Sequence, residues 1–143
     1  MQVGPELMKV REFNPADTTA VIKIWEQVFP DDRPHNQPAK VIRDKISARD
    51  NLFFVAEHER RVIGTVLAGY DGHRGWLYSV AVDPAAHRAG TGKNLVDHAL
   101  TALKARGCSK VNLQIRADNS QVVQFYERLG FKLEERISMG KLL

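Results

Sequence analysis

The amino-acid sequence predicts an α/β fold: a mixed, mostly antiparallel sheet with helices on both faces. Three observations carry that prediction. Apolar residues alternate in several short β-rich runs, as strands with one buried face require. Elsewhere they recur every three or four residues, as amphipathic helices require. Glycine, proline, asparagine and aspartate fall where the period changes. A length of 143 residues suits one compact domain. The expectation is a single domain over residues 1–143, with residues 1–6 a loose N-terminal extension.

Lys9 to Phe13 is a short candidate strand that stops at Asn14-Pro15, a good N-cap followed by a residue suited to the first helical position. Ala20, Val21, Ile24, Trp25 and Val28 then keep helical spacing. Three prolines make Pro30 to Pro38 a loop, and Ala39 to Arg49 reads as a second helix with Val41, Ile42, Ile46 and the stem of Lys45 inward. Leu52 to Glu57 and Val62 to Tyr70 are strands around a charged turn at Glu59-Arg60. Asp71-Gly72 signals a hairpin into the strand Trp76 to Val82, which Asp83-Pro84 closes. Lys93 to Arg106 presents Leu95, Val96, Ala99, Leu100 and Leu103 on one face, and Gly107 stands where a helix-ending glycine belongs. Val111, Leu113 and Ile115 alternate with polar residues as a half-polar strand. Ser120 to Leu129 is a short helix ended by Gly130, and Phe131 to Leu142 reads as a final hairpin.

Composition narrows the function classes. One cysteine, Cys108, excludes an internal disulfide and a zinc site of several thiolates, and the five histidines lack metal-binding spacing, so no metal is expected. The net charge of +4 allows an anionic partner, but the basic residues are scattered and do not form a nucleic-acid arm. No apolar stretch is long enough for a membrane span, and Met1 to Glu6 lacks a signal-type apolar core, so a cytoplasmic protein is expected.

Two stretches carry chemistry. In the first, His87, Arg88, Ala89, Gly90, Thr91 and Gly92 lie where a helix begins. First-turn amides have no partner within the helix and form a ready anion site. Glycine lets a phosphate oxygen approach them, and Arg88 and Lys93 add positive charge. The nucleotide P-loop pattern fails, because it needs glycine at His87 and serine or threonine at Asn94. The dinucleotide pattern fails at Leu95. The second stretch, Asn119 to Phe131, places Val122, Phe125, Tyr126 and Leu129 on one helical face, where Tyr126 alone reads as a core aromatic.

Taken together and in this order, the two stretches resemble the GNAT superfamily of N-acetyltransferases. Its loop of Arg or Gln, two residues, Gly, one residue, and Gly or Ala corresponds to His87–Gly92 here, with His87 the departure. A later Asn and a Tyr-x-(Lys/Arg)-x-Gly-Phe run correspond to Asn119 and Tyr126–Phe131. The resemblance implies a GNAT-like fold and acetyl-CoA as cosubstrate. It implies direct attack of a primary amine, of a small molecule or a protein N-terminus, on the acetyl carbonyl. It further implies that Val80, Ala81 and Val82 pair with the pantetheine arm, that the 87–93 loop holds the pyrophosphate, that Asn119 helps hold the arm, and that Tyr126 faces the thioester sulfur. The alternative is a non-catalytic acyl-CoA sensor. The strand from Trp76 to Val82 has no carboxylate, so the general base is not legible, and a water relay beside Tyr78 or Ser79 is one route. The acceptor is also open, with Asp31, Asp32, Arg33, His35 and Asn36, or Asp71, His73 and Arg74, as candidate lining. For His73 the turn-chemistry reading is preferred to a catalytic one. Cys108 reads as a small buried thiol, not a nucleophile. A homodimer is compatible with all of this.

Overall fold

The structure is a computed structural model that describes residues 8–30, 34–86 and 90–143. The chain forms two compact units that divide at Leu113/Gln114.

The first unit holds a five-stranded sheet in the order β1-β2-β3-β4-β5. β1 (Met8–Glu12), β2 (Phe53–His58), β3 (Arg61–Tyr70) and β4 (Gly75–Val82) pair antiparallel in sequence order. β5 (Val111–Asn112) runs parallel to β4. The simple meander follows from short connections. Glu59 and Arg60, with φ of 51° and 63°, make the two-residue turn between β2 and β3. Between β3 and β4, the Asp71 carboxylate accepts the amides of His73 (2.8 Å) and Arg74 (2.7 Å), with Gly72 at φ 91°. That is aspartate turn chemistry, as read from the sequence.

α1 (Thr18–Val28) and α2 (Pro38–Ser47) cover one face. Their Val21, Ile24, Trp25 and Ile42 form one core with Phe53, Val55, Leu67 and Ala81 of the sheet. A capping box opens this region: Asn14 accepts the amide of Ala16, and Asp17 accepts that of Asn14. The first turn, Pro15–Asp17, is 3-10, so α1 itself begins at Thr18. The Lys45 stem does turn inward, and its ammonium bonds the Ala68 carbonyl and Asp50. α3 (Thr91–Ala105) covers the opposite face, where Leu95, Val96, Ala99 and Leu103 are buried. Gly64 admits it: a Cβ there would lie 2.9 Å from a Leu95 methyl and from the Ala81 carbonyl. Helices therefore flank both faces, as expected.

The second unit, residues 114–143, is built around α4 (Ser120–Arg128). Here the sequence reading needs two corrections. The strand expected through Ile115 has ladder pairing only at Val111 and Asn112. The expected hairpin over Phe131–Leu142 is absent, and none of residues 131–143 lies in a strand. The middle of the segment, Glu134-Glu135-Arg136, has no turn-forming residue. Leu133, Ile137 and Met139 are exposed, so no burial stabilises a ladder. Among the described residues no helix is long and apolar enough to cross a membrane.

Candidate functional site

The site begins with an irregularity in β4. Thr65 faces Ala81 across the ladder, but Leu67 faces Tyr78, so β3 spends two steps where β4 spends three. The extra residue is a bulge, and Ser79 sits in it with φ 50°, a left-handed conformation rare outside glycine. Such strain persists only where surrounding contacts over-determine it. On its other edge β4 pairs with β5 only at Gly75 and Trp76. From Leu77 to Val82, no strand of the described residues takes that edge, so no ladder among them pairs its outward backbone groups. The three residues read as arm-binding occupy it. Ala81 is buried in the α1–α2 core, so its side chain packs and only its backbone can face a ligand; Val80 and Val82 are half-buried.

Past Asp83 the chain reaches the glycine helix start. His87, Arg88 and Ala89 lie outside the described residues. Gly90 caps α3 with φ 87°, and the first intrahelical bond is Asn94 N–H to the Gly90 carbonyl at 2.9 Å. The amides of Thr91, Gly92 and Lys93 belong to the first turn and so have no partner within the helix. A Cβ on Gly90 would meet nothing within 4 Å, so this backbone borders open space. These features fit a pyrophosphate: donors at a helix start, dipole included, with no side chain on the approach. Thr91 is fully buried and its hydroxyl donates to Met8 sulfur at 3.3 Å, which limits its share to its amide. Lys93 is exposed and paired with Asp97 at 2.6 Å, a solvated i,i+4 pair.

Tyr78, next to the bulge, is half-exposed, and partial burial together with the Asp71 charge raises its pKa. A phenol that keeps its proton suits hydrogen-bond donation better than base catalysis. β4 carries no carboxylate. His35 and Asn36 form an exposed 3-10 turn, while Asp31, Asp32 and Arg33 lie outside the described residues. Cys108 is buried, its thiol directed at the Lys110 carbonyl. Among the described residues no group of three His, Cys, Asp or Glu side chains could hold a metal.

The second unit gives its motif a local explanation. Asn119 caps α4, its side-chain oxygen accepting the Val122 amide at 3.3 Å. At the other end, Phe131 N–H bonds the Tyr126 carbonyl and Gly130 N–H the Glu127 carbonyl, with Gly130 at φ 95°. That is a Schellman stop, and its usual apolar contact is the Tyr126–Phe131 ring pair at 5.4 Å. Tyrosine, glycine and phenylalanine at this spacing thus end the helix whatever else they do. Tyr126 is 7% exposed, and burial pushes its phenol up to about 12. It stays a neutral donor across the physiological range.

The sequence reading passed over one pair. Nothing in their spacing distinguishes Trp25 or Thr65 from the other residues of their helix and strand. In the structure the Trp25 indole nitrogen and the Thr65 hydroxyl form a buried chain to the Ser79 carbonyl.

Comparison with known proteins adds the family. Residues 18–131 match the model of the acetyltransferase (GNAT) family, a span that includes parts of both units. An acetyltransferase of Yersinia enterocolitica is 38% identical over 138 residues, covering 95% of this chain and 96% of its own. Among solved structures, Ard1 from Thermoplasma volcanium superposes with a TM-score of 0.78 at 25% identity, over 90% of this chain and 84% of its own. A PaiA N-acetyltransferase from Thermoplasma acidophilum, solved with coenzyme A, gives 0.77 at 19% identity, over 91% and 92%.

Proposed function

Because this chain belongs to the GNAT family of acetyltransferases, we propose that it transfers the acetyl group of acetyl-CoA to a primary amine by direct attack. The observation that carries this reading is the continuity of two features on one stretch of backbone. The open β4 edge at the Ser79 bulge leads directly to the glycine-capped start of α3. An extended amide-bearing arm suits the first, and a pyrophosphate suits the second. The amides of Thr91, Gly92 and Lys93, with His87, Arg88 and Ala89, would hold the phosphates. The backbone of Val80, Ala81 and Val82 would pair with the arm, and Asn119 would help retain it.

The thioester supplies an activated carbonyl: the amine nitrogen bonds to its carbon, the carbon–sulfur bond breaks, and the amine gives up a proton. Tyr126 would donate a hydrogen bond to the sulfur as it gains charge. The amine must arrive neutral. For a lysine-like group with pKa ~10.4 that costs roughly 4–5 kcal/mol at pH 7, and for an α-amino group near ~8 little more than 1. With no carboxylate on β4, an α-amino acceptor makes the smaller demand on this site.

The test has two arms. Calorimetry should show acetyl-CoA binding, with NAD and ATP much weaker, and a screen of amines and peptides should release CoA with at least one acceptor. No acetyl-CoA affinity at millimolar concentration would sink the reading. Tight binding with no acceptor in a broad screen would favour the sensor alternative.

A further inference from the structure

We propose that Trp25 and Thr65 are positioning residues for acyl transfer, their buried relay holding the β4 bulge, and with it the open strand edge, in place. The proposal rests on the reading of that edge as the seat of the acyl-CoA arm.

The direction of the relay is forced by donor inventory. An indole N–H can only donate, so at 2.8 Å the Thr65 oxygen accepts from Trp25. The threonine hydroxyl has one hydrogen, and the Ser79 carbonyl, 2.8 Å away, can only accept it. Thr65 is fully buried and Trp25 is 2% exposed, so the bond between them lies in the core, while the bond to the Ser79 carbonyl is part-buried. A bulge costs its strand a ladder bond, and here a side chain from the neighbouring strand satisfies the displaced carbonyl.

The surroundings argue against a purely packing role. Trp25 belongs to an otherwise apolar cluster with Val21, Ile24, Val55, Leu67 and Ala81. Valine would fill the space of Thr65, and a hydroxyl buried there is unfavourable unless both its bonds are made. A polar pair in such a core specifies one arrangement among several of similar packing. The competing arrangement is concrete. Without the bulge, β4 beyond Ser79 would slip by one residue, turning Ala81 out of the core and realigning the Val80–Val82 backbone. The relay separates these two registers because only the bulged one brings the Ser79 carbonyl to the Thr65 hydroxyl.

The experiment compares calorimetric affinities of the full chain for coenzyme A and for adenosine 3′-phosphate 5′-diphosphate, the nucleotide end without the arm. The ratio of the two reads the arm's contribution. In Thr65→Val we expect that ratio to fall about five- to tenfold, with the nucleotide's own affinity within about twofold of wild type. Thr65→Ser, which restores the hydroxyl, should recover most of the ratio. Trp25→Phe, which keeps the threonine–carbonyl bond, should lose about two- to threefold. A wild-type ratio in folded Thr65→Val, or an equal loss in Thr65→Ser, would overturn the proposal. Should Thr65→Val fail to fold, an unchanged ratio in Trp25→Phe overturns it instead. A wild-type protein that binds both ligands equally would refute the seat of the arm itself, and the relay's role with it.

Discussion

Gly90→Val separates a glycine needed for its backbone from one needed for what approaches it. Gly90 and Gly107 have nearly the same conformation, φ 87° and 90°, and a Cβ at either meets nothing within 4 Å. A Cβ therefore has room at either position, and the cost the two variants share is the left-handed backbone, about 2 kcal/mol. At ~2.1 cal/mol/K per residue that lowers Tm by roughly 7 °C in a chain of 143 residues, about equally for both variants. Ligand affinity should split them. Gly107 forms the Schellman stop after α3, with Gly107 N–H on the Lys104 carbonyl and Cys108 N–H on that of Leu103. Gly90 opens the helix start that we assign to the pyrophosphate. Isopropyl bulk there should remove about two hydrogen bonds to a charged group, at ~1.5–3 kcal/mol each. Acetyl-CoA affinity should then fall at least about a hundredfold in Gly90→Val and stay near wild type in Gly107→Val. Differential scanning calorimetry supplies the stability control, and titration calorimetry the affinities. Wild-type affinity in Gly90→Val, or matching losses in both variants, would refute the phosphate seat.

Tyr126→Phe keeps the ring contacts to Phe125 (4.9 Å) and Phe131 (5.4 Å), so circular dichroism and Tm should change little. With its phenol near 12 against ~8.5 for a thiol, full proton transfer to thiolate is uphill by about 5 kcal/mol. The residue is then a hydrogen-bond donor, and kcat should fall about 10- to 100-fold with acetyl-CoA affinity unchanged; undiminished turnover, with chemistry rate-limiting, would return it to packing alone. A third expectation concerns acid stability. Burial pushes the Asp17 carboxyl up, but the Arg11 guanidinium (2.9 and 3.0 Å) and the Asn14 amide (2.8 Å) outweigh this and hold it below its usual value. A depressed carboxylate stabilises the fold above the unfolded value of ~3.9, and that contribution is lost as pH falls through the folded one. Urea midpoints should show Asp17→Asn less stable by about 1–2 kcal/mol at pH 7, with the gap closing below about pH 4. A gap that persists at pH 2 would mean that Asp17 acts through shape and not charge.

Much of this was legible along the chain because it is local. Asn14 and Pro15 announce a helix start within three residues, Asp71-Gly72 a turn within four, and Gly107 a helix stop, bonding Lys104 while Cys108 bonds Leu103. The glycine motif at Gly90 and the run from Tyr126 to Phe131 are of the same kind. What each does to the backbone is set by consecutive residues, a helix start at Gly90 and a helix stop at Gly130. The final hairpin shows the limit of such reading: apolar residues at Leu133, Ile137 and Met139 suggest a strand, not whether a partner exists to pair with it. Features set across strands were hidden for the same reason. Thr91 reads as a loop hydroxyl until Met8, eighty-three positions away, accepts its hydrogen bond inside the fold. Nothing near Ser79 predicts its left-handed backbone. That conformation follows from the slip between β3 and β4 and from a hydroxyl at Thr65, itself bonded by an indole forty residues upstream. Dihedral preferences and hydrophobic periods act between chain neighbours, whereas a ladder's register is settled by pairings that exist only after the strands have met.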